Sequence, residues 1–135
     1  MILNISEAAN LALHAMYYLA LHQDKKLIPV AEVTDSFEVS KDHMNKVLQR
    51  LKKIGLVDST RGPHGGFRLR KAPEAISLLM IYEAIDGPLM DSDCLMKLPE
   101  CKQGHCIFGD LIGSIQKQTY DYFSNTTLQT LIDFS

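Results

Sequence analysis

The sequence predicts a mainly α-helical fold that carries a single short β-hairpin. Three observations support this. Apolar side chains recur at helical spacing in successive stretches along the chain. One six-residue stretch, Arg61-Gly62-Pro63-His64-Gly65-Gly66, packs three glycines and a proline between two short extended segments. The 135 residues are 46% hydrophobic and 22% charged, which suits one globular core and excludes a disordered chain.

Ser6 is placed as an N-cap, with Glu7 favourable against the positive helix end. Leu11, Ala12, Ala15, Met16, Leu19 and Ala20 then predict an amphipathic helix over about Glu7–Gln23, followed by a loop at Asp24-Lys25-Lys26. Pro29 suits the first turn of a second helix, with Val30, Val33 and Phe37 facing inward. Ser40 caps a third helix that carries Met44, Val47, Leu48, Leu51 and Ile54 on one stripe, and Gly55 is set to end it in a left-handed turn. The turn between them, Ser36-Phe37-Glu38-Val39, lacks the glycine that such turns usually hold.

Leu56–Thr60 and Phe67–Arg70 read as two strands around the glycine-rich tip. A fourth helix runs from Ala75 or Ser77 to Asp86, with Leu78, Leu79, Tyr82 and Ile85 inward and Gly87-Pro88 stopping it. Residues 91–105 show no period and read as a loop. A long helix is expected over about Cys106–Ser124, with Phe108, Leu111, Ile112, Ile115, Thr119 and Tyr122 on one side. Thr127 caps a last short helix, Leu128–Phe134.

The net charge is −2, which taken whole argues against nucleic acid as a partner. Its distribution reverses that conclusion. Residues 1–71 carry a net charge of +4 and residues 72–135 a net of −6, and Ser40–Lys71 alone reaches +7. The third helix turns Lys41, Asp42, His43, Asn45, Lys46, Gln49, Arg50, Lys52 and Lys53 outward. Two helices joined by a few residues, the second basic on its outer face, form a helix-turn-helix, and the basic hairpin behind them is a wing. Asn45 suits a bidentate adenine contact and Lys46 a guanine contact, while Arg50, Lys52 and Lys53 lie where phosphates would run. Arg61 and His64, on the wing, suit a narrow minor groove. Each of these residues alone is an ordinary solvated surface group; their clustering is the signal.

The three cysteines, Cys94, Cys101 and Cys106, are spaced C-x6-C-x4-C. The start at Met1–Ser6 carries no basic, signal-like segment, and no apolar run is long enough for a membrane helix. An odd set of thiols is then expected in a reducing cytoplasm, kept for metal or redox work. Cys106, placed at the start of the long helix, gains thiolate character there, and Lys97 and Lys102 add positive charge nearby. An iron–sulfur cluster takes four protein ligands, so three thiols need a fourth group. Zinc in a Cys3His site is the chemical rival, with His105 as the candidate histidine; a thiol switch without metal is the third reading.

Val39-Ser40-Lys41-Asp42-His43-Met44 through Leu51, then Gly55-Leu56-Val57 and the Arg61–Gly66 wing, resemble the Rrf2 family of bacterial transcription factors, in its iron–sulfur, IscR-like and NsrR-like branch. The similarity runs from Ala12-Leu13-His14-Ala15-Met16 to Thr127-Leu128. It implies a winged helix-turn-helix DNA-binding domain over residues 1–86, a cluster-binding loop over 87–106, and a long C-terminal dimerisation helix with a short final helix over 107–135. It further implies a homodimer on a palindromic operator in double-stranded DNA. Ser40, Asp42, His43, Asn45 and Lys46 match the family's base-contacting positions, and Arg61 its minor-groove arginine.

By the same resemblance, Cys94, Cys101 and Cys106 would hold a [2Fe–2S] or [4Fe–4S] cluster whose fourth ligand is not a cysteine. Where one subtype has a histidine this chain has Gly109. Where another takes an acidic residue from the partner subunit's first helix, this chain has Asn10, with Glu7 one turn earlier. The Val33-Thr34-Asp35 stretch and His43-Met44 look more NsrR-like than IscR-like, which points to nitric oxide ahead of redox or iron–sulfur status as the signal. The alternative is a cluster-free relative governed by a thiol switch or by a partner protein docked on the acidic half. Enzymatic function is not expected: G-x-S-x-G and H-E-x-x-H are absent, and the five histidines are scattered, with His14 and His22 placed as packing or surface groups.

Overall fold

The structure, a computed structural model, describes residues 5–89, 94–96, 98 and 101–135. The first helix, α1 (Glu7–Leu21), begins where the Ser6 hydroxyl oxygen accepts the Ala9 N–H at 3.0 Å. Its buried face alternates Ala9, Ala12 and Ala15 with Met16 and Leu19, so small side chains let neighbouring helices come close. The Ser6 N–H donates to Asp86 Oδ2 at 2.9 Å, tying the start of α1 to the end of a helix eighty residues away in sequence.

Helix α2 (Val30–Asp35) starts directly after Pro29, which serves as its N-cap and not as a residue of the first turn. Helix α3 (Lys41–Ile54) is capped by Ser40, whose Oγ accepts the His43 N–H at 3.0 Å, and ends at Gly55 with φ 88°. Met44, Val47, Leu48 and Leu51 seal its inner face. Ile54, expected on that stripe, is 51% exposed because it lies in the last turn, where the chain bends away at Gly55. The turn without glycine is made by Glu38, which takes φ 53°. Phe37 anchors that turn through edge-on contacts to the rings of His14 and Tyr18 on α1.

Strands β1 (Val57–Thr60) and β2 (Gly66–Leu69) pair antiparallel, Val57 opposite Leu69 and Thr60 opposite Gly66. Ile28 joins β2 as an isolated bridge, exchanging two backbone hydrogen bonds with Phe67 at 2.8 and 2.9 Å. A 3-10 turn at Pro73–Ala75 leads to α4 (Leu78–Asp86), whose N-cap is Ser77. Leu78, Ile81, Tyr82 and Ile85 are its buried residues, and Leu79 is half-buried.

Helix α5 spans Leu111–Asn125, so the long helix starts five residues later than its apolar spacing predicts. Gly109, at φ 60°, interrupts helical geometry between Cys106 and the N-cap Asp110. Cys106 therefore lies just before a turn and not at the start of the long helix, its expected place. Of the side chains expected on one side of this helix, only Ile112 is buried; Phe108, Leu111 and Tyr122 are exposed and Ile115 and Thr119 half-buried. Helix α6 (Leu128–Phe134) returns to pack on α1, held by a bridge between Ser77 and Thr127. No helix among the described residues is long and apolar enough to cross a membrane.

Candidate nucleic-acid interface and cysteine cavity

Burying the apolar stripe of α3 against α1, α2 and α4 fixes what the opposite side presents. Lys41, Asp42, Asn45, Lys46, Gln49, Lys52 and Lys53 are exposed there, and His43 is half-buried beside them. Lys46 Nζ lies 3.4 Å from Asp42, one helical turn away. Both side chains are solvent-exposed, so the pair contributes little to stability and either partner is free to exchange it for another contact. Arg50, expected among the phosphate-facing residues, donates Nη2 to the Ile85 carbonyl at 2.7 Å, bracing the end of α4 against α3 and committing part of its guanidinium to the fold. Ser40, also expected at the bases, has its hydroxyl engaged as the helix cap.

The wing is placed by close packing of backbone. A Cβ on Gly66 would run into the Ile28 carbonyl, and one on Gly65 into the Thr60 carbonyl, so neither position accepts a side chain without displacing the hairpin. Gly62 adopts φ 111° at the tip. Arg61, Pro63 and His64 are exposed on it, on a hairpin that β1 links directly to α3. Asp58 lies 3.9 Å from both Arg68 and Arg70, partly offsetting the charge at the wing's base.

Beside α2, the Tyr18 hydroxyl donates to Glu32 Oε2 at 2.9 Å and Lys25 Nζ reaches Oε1 at 2.8 Å. The Lys25 and Tyr18 hydrogen bonds hold the Glu32 carboxyl below its ordinary value. Burial, with Glu32 alongside, pushes the Tyr18 hydroxyl up, and the bond to Glu32 raises Lys25. This trio fixes the entry to the helix-turn-helix.

Cys94, Cys101 and Cys106 line one cavity of about 490 Å³. Leu98, Gly109, Asp110, Gly113, Ser114 and Lys117 complete its lining, so its floor is the first two turns of α5. The Phe108 N–H donates to Cys106 Sγ at 3.4 Å, and Cys101 Sγ donates to the His105 carbonyl at 3.8 Å. Among the described residues no three His, Cys, Asp or Glu side chains gather tightly enough to grip a single metal ion. The thiols are thus spread around a space and not drawn to a point. Three thiols lining one cavity of this size supply three of the four donors of an iron–sulfur cluster, with one ligand still to be supplied. The ring of His105 is not part of the lining, and neither are Glu7 and Asn10, which are exposed at the start of α1. Lys97 lies outside the described residues.

Sequence reasoning missed Asp110, Ser114 and Lys117 as cavity residues. The available signal was an aspartate four residues after the last cysteine, and it was hidden by placing the helix start at Cys106. It also missed the bracing role of Arg50, which depends on a carbonyl 35 residues away.

An apolar-backed basic helix followed by a glycine-locked hairpin defines a winged helix-turn-helix regulator of transcription. Residues 5–133 match the Rrf2 family, described as iron-dependent transcriptional regulators. The transcriptional regulator IscR of Erwinia tasmaniensis is 30% identical over 132 residues, covering 97% of this chain and 79% of its own. NsrR of Bacillus licheniformis is 30% identical over 114 residues, 82% of this chain and 75% of its own. The structure of CymR, the global cysteine regulator of B. subtilis, superposes with a TM-score of 0.81 over 98% of both chains at 24% identity, which shows the shared fold. The chain belongs to the Rrf2 family and is a transcriptional regulator, not an enzyme.

Proposed function

We propose that this chain is a homodimeric regulator, working in the cytoplasm, whose affinity for a palindromic operator is set by an iron–sulfur cluster at Cys94, Cys101 and Cys106. The carrying observation is that three thiols from a short loop line one cavity floored by α5. A lone zinc ion would need its sulfur donors within roughly 4 Å of one another, given Zn–S bonds of about 2.3 Å. A cavity with its donors spread apart favours the larger, multi-atom group. When bound there, the cluster would supply iron that reacts with nitric oxide or oxygen; relatives named IscR and NsrR match at equal identity, and the NsrR-like Val33-Thr34-Asp35 and His43-Met44 stretches support nitric oxide as the signal.

The chain's own residues provide the coupling. The thiols join the loop that carries them to the first turns of α5. Helix α5 leaves Leu111 and Tyr122 exposed on one side, an apolar strip suited to a second copy of the same helix. Shifting that strip alters the distance between two α3 helices, which must match half-sites about 34 Å apart. On each half-site, Lys41, Asp42, His43, Asn45 and Lys46, led in by the Ser40 cap, face base edges. Lys52, Lys53 and the remaining donors of Arg50 face phosphates, and Arg61 and His64 enter the minor groove.

The test is anaerobic reconstitution with ferrous iron and sulfide. Expected is a brown protein with stoichiometric iron and an operator affinity that changes on loading. A colourless protein without iron contradicts the cluster. Should operator binding then respond to thiol oxidation, the exposed Cys101 would mark a metal-free switch.

A further inference from the structure

The cysteines leave one ligand place open, and the structure points to a specific group for it. Asp110 lines the same cavity as Cys94, Cys101 and Cys106. It is the N-cap of α5, where its carbonyl accepts the Ser114 N–H at 2.9 Å, yet its side chain makes no capping hydrogen bond. The contrast with the chain's other polar caps is sharp. Ser6, Ser40, Ser77 and Thr127 have ψ between 143° and 168°, and each side-chain oxygen accepts a backbone N–H. Asp110 has ψ 8°, which leaves its carboxylate unused by the helix it begins.

We propose that Asp110 is the fourth, oxygen-donor ligand of the cluster, supplied by the same chain as the three thiolates. This rests on the cluster reading above. A carboxylate is a hard, anionic donor that binds iron, and a ligand set of three thiolates and one carboxylate places four negative charges around one cavity. Lys117, two turns along α5 on the same lining, is paired with Asp121 at 3.0 Å, an exposed ion pair weak enough to be exchanged for the anionic site. The His105 ring stands outside this lining. With Asp110 the site closes within one protomer, so loading does not need the partner's first helix. The ligand nearest the helix is also the one that joins the loop to α5 without an intervening hinge.

The test compares wild type, Asp110→Asn, Asp110→Ala and Asp110→Cys, each reconstituted anaerobically with ferrous iron and sulfide. The readouts are iron and sulfide stoichiometry, Mössbauer spectra and the rate of iron loss to a chelator. Far-UV circular dichroism and thermal unfolding of the apo forms check that each variant folds. Expected are unchanged apo unfolding curves, with iron lost at least about tenfold faster from Asp110→Asn and Asp110→Ala than from wild type. Asp110→Cys should load fully and convert the distinct oxygen-ligated iron site to an all-sulfur one. If wild type loads and all three variants match its spectra and chelation rate, Asp110 is not a ligand while the cluster reading stands. If wild type takes up no iron, both fall.

Discussion

Behind the basic helix α3, Met44, Leu48 and Leu51 are sealed from solvent; around the cysteine cavity, Leu95, Met96, Ile107 and Phe108 are open to it. The two regions are built on opposite terms. Each buried Leu or Met of the first contributes about 1.5–3 kcal/mol, so the DNA-reading surface is held rigid before any partner arrives. The second has turns in place of helix and an apolar strip with little to cover it inside one chain. Exposed apolar side chains of this kind are where a bound group or a second subunit can shift a local equilibrium. On the proposed function, a reading helix backed by a sealed core and a more exposed cysteine cavity divide the work of a regulator, because the signal need not remodel the contacts it controls.

The strongest way to break this comparison is to remove the thiols. Replacing Cys94, Cys101 and Cys106 together by Ser is expected to abolish stoichiometric iron on reconstitution while leaving apo thermal unfolding unchanged. Retained iron would refute the ligand assignment, and a large fall in stability would mean the loop is part of the rigid region after all. The reverse change belongs in the wing. Gly66→Ala forces a Cβ into the Ile28 carbonyl and is expected to cost about 2–4 kcal/mol in chemical denaturation, with no direct effect on iron uptake.

Arg61→Ala tests whether the wing touches DNA. Operator affinity is expected to fall about tenfold at physiological salt, with a shallower salt dependence, as measured by fluorescence anisotropy, while stability stays within about 0.5 kcal/mol. Unchanged affinity would remove the wing from the interface.

A smaller effect should come from Glu32→Gln. The Glu32 carboxyl is held below its ordinary value of 4.5 by Lys25 and Tyr18, so its stabilisation is present above that value and lost as pH falls through the lowered one. The stability gap between wild type and Glu32→Gln should therefore be largest near neutral pH and close in acid. A gap independent of pH would show that the bonds to Lys25 and Tyr18 do not depend on the charge. Glu38→Gly, at the left-handed turn position, is expected to be neutral or stabilising by up to about 1 kcal/mol, read from the unfolding midpoint.

The reading region was largely legible because its signals are local. Ser40 and Gly55 bracket α3, its apolar stripe repeats at helical spacing, and the wing's glycines are demanded by backbone contacts that only glycine allows. The sensing region was not, for an equally physical reason. Its apolar residues keep helical spacing from Phe108 onward, but Gly109 turns left-handed and postpones the helix to Leu111. That single backbone dihedral removes Cys106 from the helix end and puts Asp110 there. Long-range pairs such as Arg50 with the Ile85 carbonyl leave no periodic trace in sequence. Whole-chain charge was the least informative quantity, since the −2 averages a basic half and an acidic one.

The account turns on coupling between the cavity and α3. The measurement that tests it most directly is operator affinity of the same preparation, cluster-loaded and then stripped, at one salt concentration under anaerobic conditions. The account expects the two affinities to differ at least about fivefold, and the difference to vanish in the triple cysteine variant. Equal affinities for fully loaded and stripped protein would contradict it.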